Sequence, residues 1–194
     1  IGKTPPLREQ PFKEIDGRPG WYAGASLRED GLGRLAVLYY DNRADPGSYS
    51  EQVGREVFSW RTRFWSAGAE LPLGDTVLAA QWMHGSTIIE PAPGLLFDTR
   101  FRSFFVLAAR DRGAWRPALR YDRFQIRDLP DTPDDPYAED GHAWTAALNW
   151  RPRDWLRVSA EWLRIDSRRG ERLFEGRSAW QREDLLQLNL RYEF

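Results

Sequence analysis

Arginine sets the chemistry this chain can do. Of 28 basic residues only Lys3 and Lys13 are lysines, and 29 acidic residues bring the formal net charge to -1. That balance gives no general affinity for nucleic acid. A guanidinium keeps its charge and presents a planar fork of donors that suits phosphate or carboxylate. In stretches that read as β-strands, Arg61, Arg63, Arg100, Arg102, Arg110, Arg116, Arg120, Arg157 and Arg191 fall at the parity of the polar face. If that face lines water, fixed guanidinium groups lower the barrier for anions and raise it for cations. The competing reading pairs them with Asp98, Asp122, Glu161 and Glu193 in a neutral network that stiffens the sheet.

Other chemistry is thinly supplied. His84 and His142 are the two imidazoles, and neither they nor Ser86 or Ser103 sit in a nucleophile motif, so no catalytic residue and no enzyme is expected. The chain has no cysteine, which excludes disulfides and thiolate metal sites. Asp128, Asp131, Asp134, Asp135, Glu139 and Asp140 form an acidic stretch without the residue order of a calcium loop. No metal and no cofactor is expected. Gly31-Leu32-Gly33 lacks the further glycine and the strand-to-helix setting of a nucleotide loop and reads as a turn.

The elements that must position these residues are strands. Residues 1–20 are proline-rich and lack steady alternation, so they read as a loop or the remnant of a preceding strand. From Trp21 to Phe194 the pattern is a series of hairpins. Trp21, Ala23, Ala25 and Leu27 alternate with Tyr22, Gly24, Ser26 and Arg28; residues 34–43 are apolar on both faces. Phe58, Trp60, Thr62 and Phe64 are read against Ser59, Arg61 and Arg63, and Phe97, Phe101, Phe105 and Leu107 against Arg100, Arg102 and Arg110. Trp115, Leu119 and Tyr121 oppose Arg116 and Arg120; Trp144, Leu148 and Trp150 oppose Thr145 and Asn149; Val158 and Trp162 oppose Arg157 and Glu161. About nine strands result. Connections alternate in length, with the short ones at 29–33, 72–75, 111–113 and 152–154.

The last strand is the most specific. Leu186, Leu188, Leu190, Tyr192 and Phe194 lie on one face, and Gln187, Asn189, Arg191 and Glu193 on the other. This ending resembles the terminal strand of bacterial outer-membrane β-barrels of the porin kind, in which a carboxy-terminal Phe and alternate apolar residues are read by the barrel insertion machinery. Leu188, Leu190, Tyr192 and Phe194 match that signal. The resemblance implies an all-β fold, an antiparallel up-and-down transmembrane β-barrel of nine or ten strands forming a segment of a larger one. An even count would need a tenth strand, such as one at Phe12-Lys13-Glu14-Ile15, or further strands before residue 1. The chain starts with Ile and shows no leader, which fits a mature or partial chain.

No run of ~18 apolar residues is present, and a barrel needs none. An aromatic content of 14%, with 10 Trp, suits interface girdles, here Trp115 and Trp150 at the periplasmic level and Trp144 and Trp162 at the outer one. The resemblance implies passive diffusion of small hydrophilic solutes through the bacterial outer membrane. The arginines make it similar in kind to phosphate-selective channels, although no selectivity motif is matched residue by residue. It further implies a homotrimer and contact with outer-membrane lipid; Arg123 and Arg164, at outward parity near the rim, are placed to meet lipopolysaccharide phosphates. Two other classes compete: a scaffold barrel with a plugged lumen, and a soluble carbohydrate-binding β-sandwich that stacks sugars on exposed Trp.

Overall fold

The computed structural model describes residues 17–47, 49–50, 57–129, 136 and 138–193. The strand considered at Phe12–Ile15, the acidic Asp131, Asp134 and Asp135, and Phe194 lie outside them. Eleven strands follow in order: β1 (Trp21–Glu29), β2 (Gly33–Asp41), β3 (Tyr49–Ser50), β4 (Val57–Phe58), β5 (Arg61–Leu73), β6 (Thr76–Ala92), β7 (Leu95–Arg110), β8 (Trp115–Leu129), β9 (Glu139–Arg153), β10 (Leu156–Arg169) and β11 (Trp180–Tyr192). Nine of them make one antiparallel sheet in the order β1-β2-β5-β6-β7-β8-β9-β10-β11. The small β3-β4 ribbon sits within the connection between β2 and β5, and a single 3-10 turn, Gly170–Leu173, lies between β10 and β11. The sheet is open, with β1 and β11 as its edges.

Turn chemistry explains the order. β5 and β6 are joined through Gly74, whose φ of +63° is the conformation a two-residue hairpin asks of its loop. All four short connections fall at one end of the sheet, as their spacing predicted. From sequence alone Gly94 and the residues before it read as a loop, and the structure differs. Pairing of β6 with β7 continues from Thr76 opposite Arg110 to Ala92 opposite Leu95, so a loop gives way to a long hairpin. Its apolar residues Ile88, Ile89 and Phe97 extend the ladder, with one irregularity between Ile89 and Ala92.

Register assigns the faces, because residues opposite one another in an antiparallel pair point the same way. Starting from Leu186, Leu188, Leu190 and Tyr192 of β11, one face is followed through Trp162, Trp144, Tyr121, Phe104, Trp82, Trp65, Tyr39 and Trp21. This resolves β2, whose outward residues are Leu35, Val37 and Tyr39. The apolar face packs on nothing: Leu186, Leu188 and Leu190 are 70%, 74% and 70% exposed, while Ala109 and Ala143 are the buried hydrophobic residues among those described. Water would not tolerate an apolar surface of that extent, whereas lipid requires it.

The aromatic positions on this face give the tilt. Trp65 lies in one register row with His84, Arg102, Gln125, Asp140 and Arg168. Counting toward the tight-turn end, Trp82 and Phe104 are two residues below that row, Tyr121 and Trp144 four, and Trp162 six. Six residues at ~3.3 Å against five strand spacings of ~4.8 Å correspond to a tilt of ~40°, the value at which a sheet curls into a membrane barrel.

Candidate functional site

The nine arginines expected on one polar face are divided between two. Arg116, Arg120, Arg157 and Arg191 lie opposite the apolar face. Arg61, Arg63, Arg100, Arg102 and Arg110 share the face of Trp65 and Phe104, which corrects their assignment. The reason is local. In β7, Phe104-Phe105-Val106-Leu107-Ala108-Ala109 is apolar on both faces, and in β5 both Phe64 and Trp65 are aromatic, so alternation alone cannot orient either strand. Register with β8 and β9, which are unambiguous, turns Phe104 outward and carries Arg102 and Arg100 with it.

The polar face holds further arginines that the sequence reading left out. Arg28 stands directly opposite Arg34, and Arg157 opposite Arg191, all near the tight-turn end; Arg151 belongs to the same face. Their carboxylates are supplied partly by the turns, with Arg116 3.6 Å from Asp111, Arg151 3.1 Å from Asp154 and Arg191 2.7 Å from Glu193. Nearer the middle, Arg120 Nε donates to Asp122 at 2.9 Å and its guanidinium lies 4.0 Å from the centroid of the Phe105 ring. With Thr145, Glu161 and Leu163, Arg120 and Asp122 line a concavity of about 440 Å³. From the level of Trp162 to the tight turns the face carries Arg28, Arg34, Arg116, Arg120, Arg151, Arg157 and Arg191 against Glu70, Asp122, Glu161 and Glu193. With Asp111 and Asp154 of the turns, seven arginines stand against six carboxylates, a polar surface with a small positive excess.

The apolar face is bounded by rings. At the tight-turn end Trp115 stacks on Trp150 at 5.5 Å, and Trp155 meets Tyr192 at 5.4 Å. At the other end Tyr39 contacts Trp65 at 4.7 Å, and Tyr121 contacts Trp144 at 4.8 Å, with Trp162 continuing the line. Beyond this second girdle the same face becomes charged. Arg61 pairs with buried Asp41 at 3.0 Å, and Arg43 N–H donates to the same carboxylate at 2.8 Å. Burial pushes the Asp41 carboxyl up, but the Arg61 hydrogen bond, the Arg43 N–H and the charges of Arg61 and Arg63 outweigh it and hold it below the ordinary carboxylate value. Arg123 and Arg164 lie in this band, 3.5 Å from Asp140 and 2.9 Å from Asp184. Both histidines are there too: His84 stacks on Trp82 and His142 is 3.9 Å from Asp166.

A tilted antiparallel meander, apolar outward between two aromatic girdles and polar inward, defines a bacterial outer-membrane β-barrel protein of the porin type. The chain belongs to the family described as phosphate-selective porin O and P, whose model matches residues 93–194. Among solved structures it is similar to "Outer-membrane expressed OmpT of Vibrio cholerae", with a TM-score of 0.60 at 12% sequence identity. That similarity covers 89% of this chain and 55% of the other, and at such identity it speaks to the fold alone. No curated relative matches.

Proposed function

We propose that this chain forms part of the wall of a water-filled outer-membrane channel that passes small hydrophilic anions by passive diffusion, phosphate among them. The carrying observation is the inward face, where like-charged arginines stand opposite each other at the periplasmic end: Arg28 with Arg34 and Arg157 with Arg191. Directly opposed like charges cost stability in a sheet. An aqueous lumen screens them and gives them a use, since a solute anion entering the mouth meets several guanidinium groups before any unshared carboxylate. The family's description as phosphate-selective supports the same reading. The strands that complete the wall would pair with the open edges of β1 and β11.

The experiment is reversal potential and single-channel conductance of the full-length protein in a planar bilayer under a salt gradient. Anion-biased reversal is expected in the wild type. Arg157→Gln with Arg191→Gln should cut the anion-to-cation permeability ratio by about fivefold, the factor that ~1 kcal/mol of Coulomb energy provides. Unchanged selectivity in that variant would remove the periplasmic arginines from the mechanism. An inserted barrel that carries no current would favour a scaffold.

A further inference from the structure

Each strand from β5 to β10 carries a basic residue two positions beyond its outer-girdle aromatic, on the outward face. Arg63 follows Trp65, His84 follows Trp82, Arg102 follows Phe104, Arg123 follows Tyr121, His142 follows Trp144 and Arg164 follows Trp162. With its two histidines counted as basic, the chain has 30 basic residues (28 Lys and Arg, 2 His) to 29 acidic, so six basic residues and no acid at one step reflects a preference in sign. Two residues along a strand tilted by ~40° raise this collar ~5 Å above the girdle, which is headgroup depth in the outer leaflet.

The collar is not uniform. On β9 and β10 the next step supplies carboxylates, and Arg123, His142 and Arg164 face Asp140, Asp166 and, from β11, Asp184. On β5 to β7 it does not. Arg63 and Arg100 both flank Ser86 across their strands, and Arg100 stands directly opposite Arg127. Arg63 Nε donates to Ser86 Oγ at 3.3 Å, and Arg100 Nε lies 3.0 Å from Asp98. Arg63 stands opposite Asp41, whereas among the described residues Arg102 and Arg127 have no carboxylate within ion-pair distance. Three guanidinium groups, Arg100, Arg102 and Arg127, therefore share one acid, Asp98, on a surface where opposed like charges destabilise the sheet. His84, Arg100, Arg102, Gln125 and Arg127 line a shallow recess of about 250 Å³.

We propose that this collar binds the phosphate groups of the outer leaflet's glycolipid, and that Arg100, Arg102 and Arg127 form its tightest site. A phosphate seated in the recess accepts from the forks of neighbouring strands and relieves their repulsion. Lipid, not a solute in transit, is the occupant because the recess opens on the face of Trp82 and Phe104 and away from the lumen.

The test uses the full-length protein in neutral detergent, titrated with bis-phosphorylated lipid A and with the same glycolipid stripped of phosphate, bound copies being counted by native mass spectrometry. Wild-type protein should retain the phosphorylated form selectively. Arg102→Gln with Arg127→Gln should weaken it by roughly thirtyfold, with single-channel conductance unchanged because both side chains face away from the pore. Should that variant fail to fold, Arg102→Lys with Arg127→Lys keeps the charge and stem and removes the fork, and a smaller loss of the phosphorylated form is expected. Equal retention of both glycolipids, or of lipid A by wild type and variants, would overturn the proposal. So would displacement of lipid A by millimolar inorganic phosphate, which would mark a free-anion site, or a change in subunit association without a change in lipid.

Discussion

Asp41 holds the one buried carboxylate among the described residues, and its partners sit where the membrane wall meets the external connection between β2 and β5. Arg61 and the Arg43 N–H bind the charged form, so protonation removes what they contribute. The folded carboxyl titrates below its ordinary 3.8. Its contribution is therefore complete above that value and is lost as pH falls through the lower folded one. Asp41→Asn should destabilise the inserted protein by about 2 kcal/mol near neutral pH, the usual size of a hydrogen bond to a charged group. Urea midpoints in lipid vesicles measure it, and the gap between wild type and variant should close in acid. A gap that is constant with pH would mean that packing, not charge, explains the loss. None of this was legible from spacing. Asp41 and Arg61 are brought together by the β2-β5 register across a connection whose length the residues do not dictate.

At the level of strands, the tight turns, the alternation of β8 to β11 and the terminal strand could be read directly, since each has one apolar face and one polar face. β5 and β7 could not. Alternation fixes a face only where lipid forbids polar groups, and the outward positions of both strands become arginine once they rise past the girdle. The long β6-β7 hairpin was hidden for a related reason: beyond the membrane nothing enforces a period. What holds it in register is a close approach on the inward face. A Cβ on Gly85 would lie 2.4 Å from the Arg63 carbonyl oxygen and 2.7 Å from the ring of Phe101, which stands opposite it. Gly85→Ala should cost about 1–3 kcal/mol as β5 or β7 is pushed aside. Gly68, whose nearest such contact is 3.4 Å, should accept Ala with little change. Vesicle folding yields of the two variants compare them, and equal yields would remove this contact as the clamp on the hairpin.

Across the whole molecule, register and depth must disagree if the sheet is a barrel wall. Trp65 and Trp162 are six residues apart in register, with Arg168 in the row of Trp65. In an untilted sheet they would differ in depth by ~20 Å, whereas a tilt of ~40° brings them to the same level. The chain has no cysteine, so single labelling sites can be introduced without background. Spin labels on Trp65→Cys and Trp162→Cys in the membrane-inserted full-length protein should report equal depth from their relative accessibility to oxygen and to a water-soluble relaxing agent. Trp115→Cys should report the opposite interface. Labels on Arg102→Cys and Arg164→Cys should then read a common, shallower level ~5 Å toward the outer surface, since each lies two residues beyond its girdle aromatic. Unequal depths for Trp65 and Trp162 would rule out the tilt, and with it the alignment of the six basic residues into one collar. Equal depths would make that collar a property of the barrel's geometry, assembled from positions that no single strand reveals.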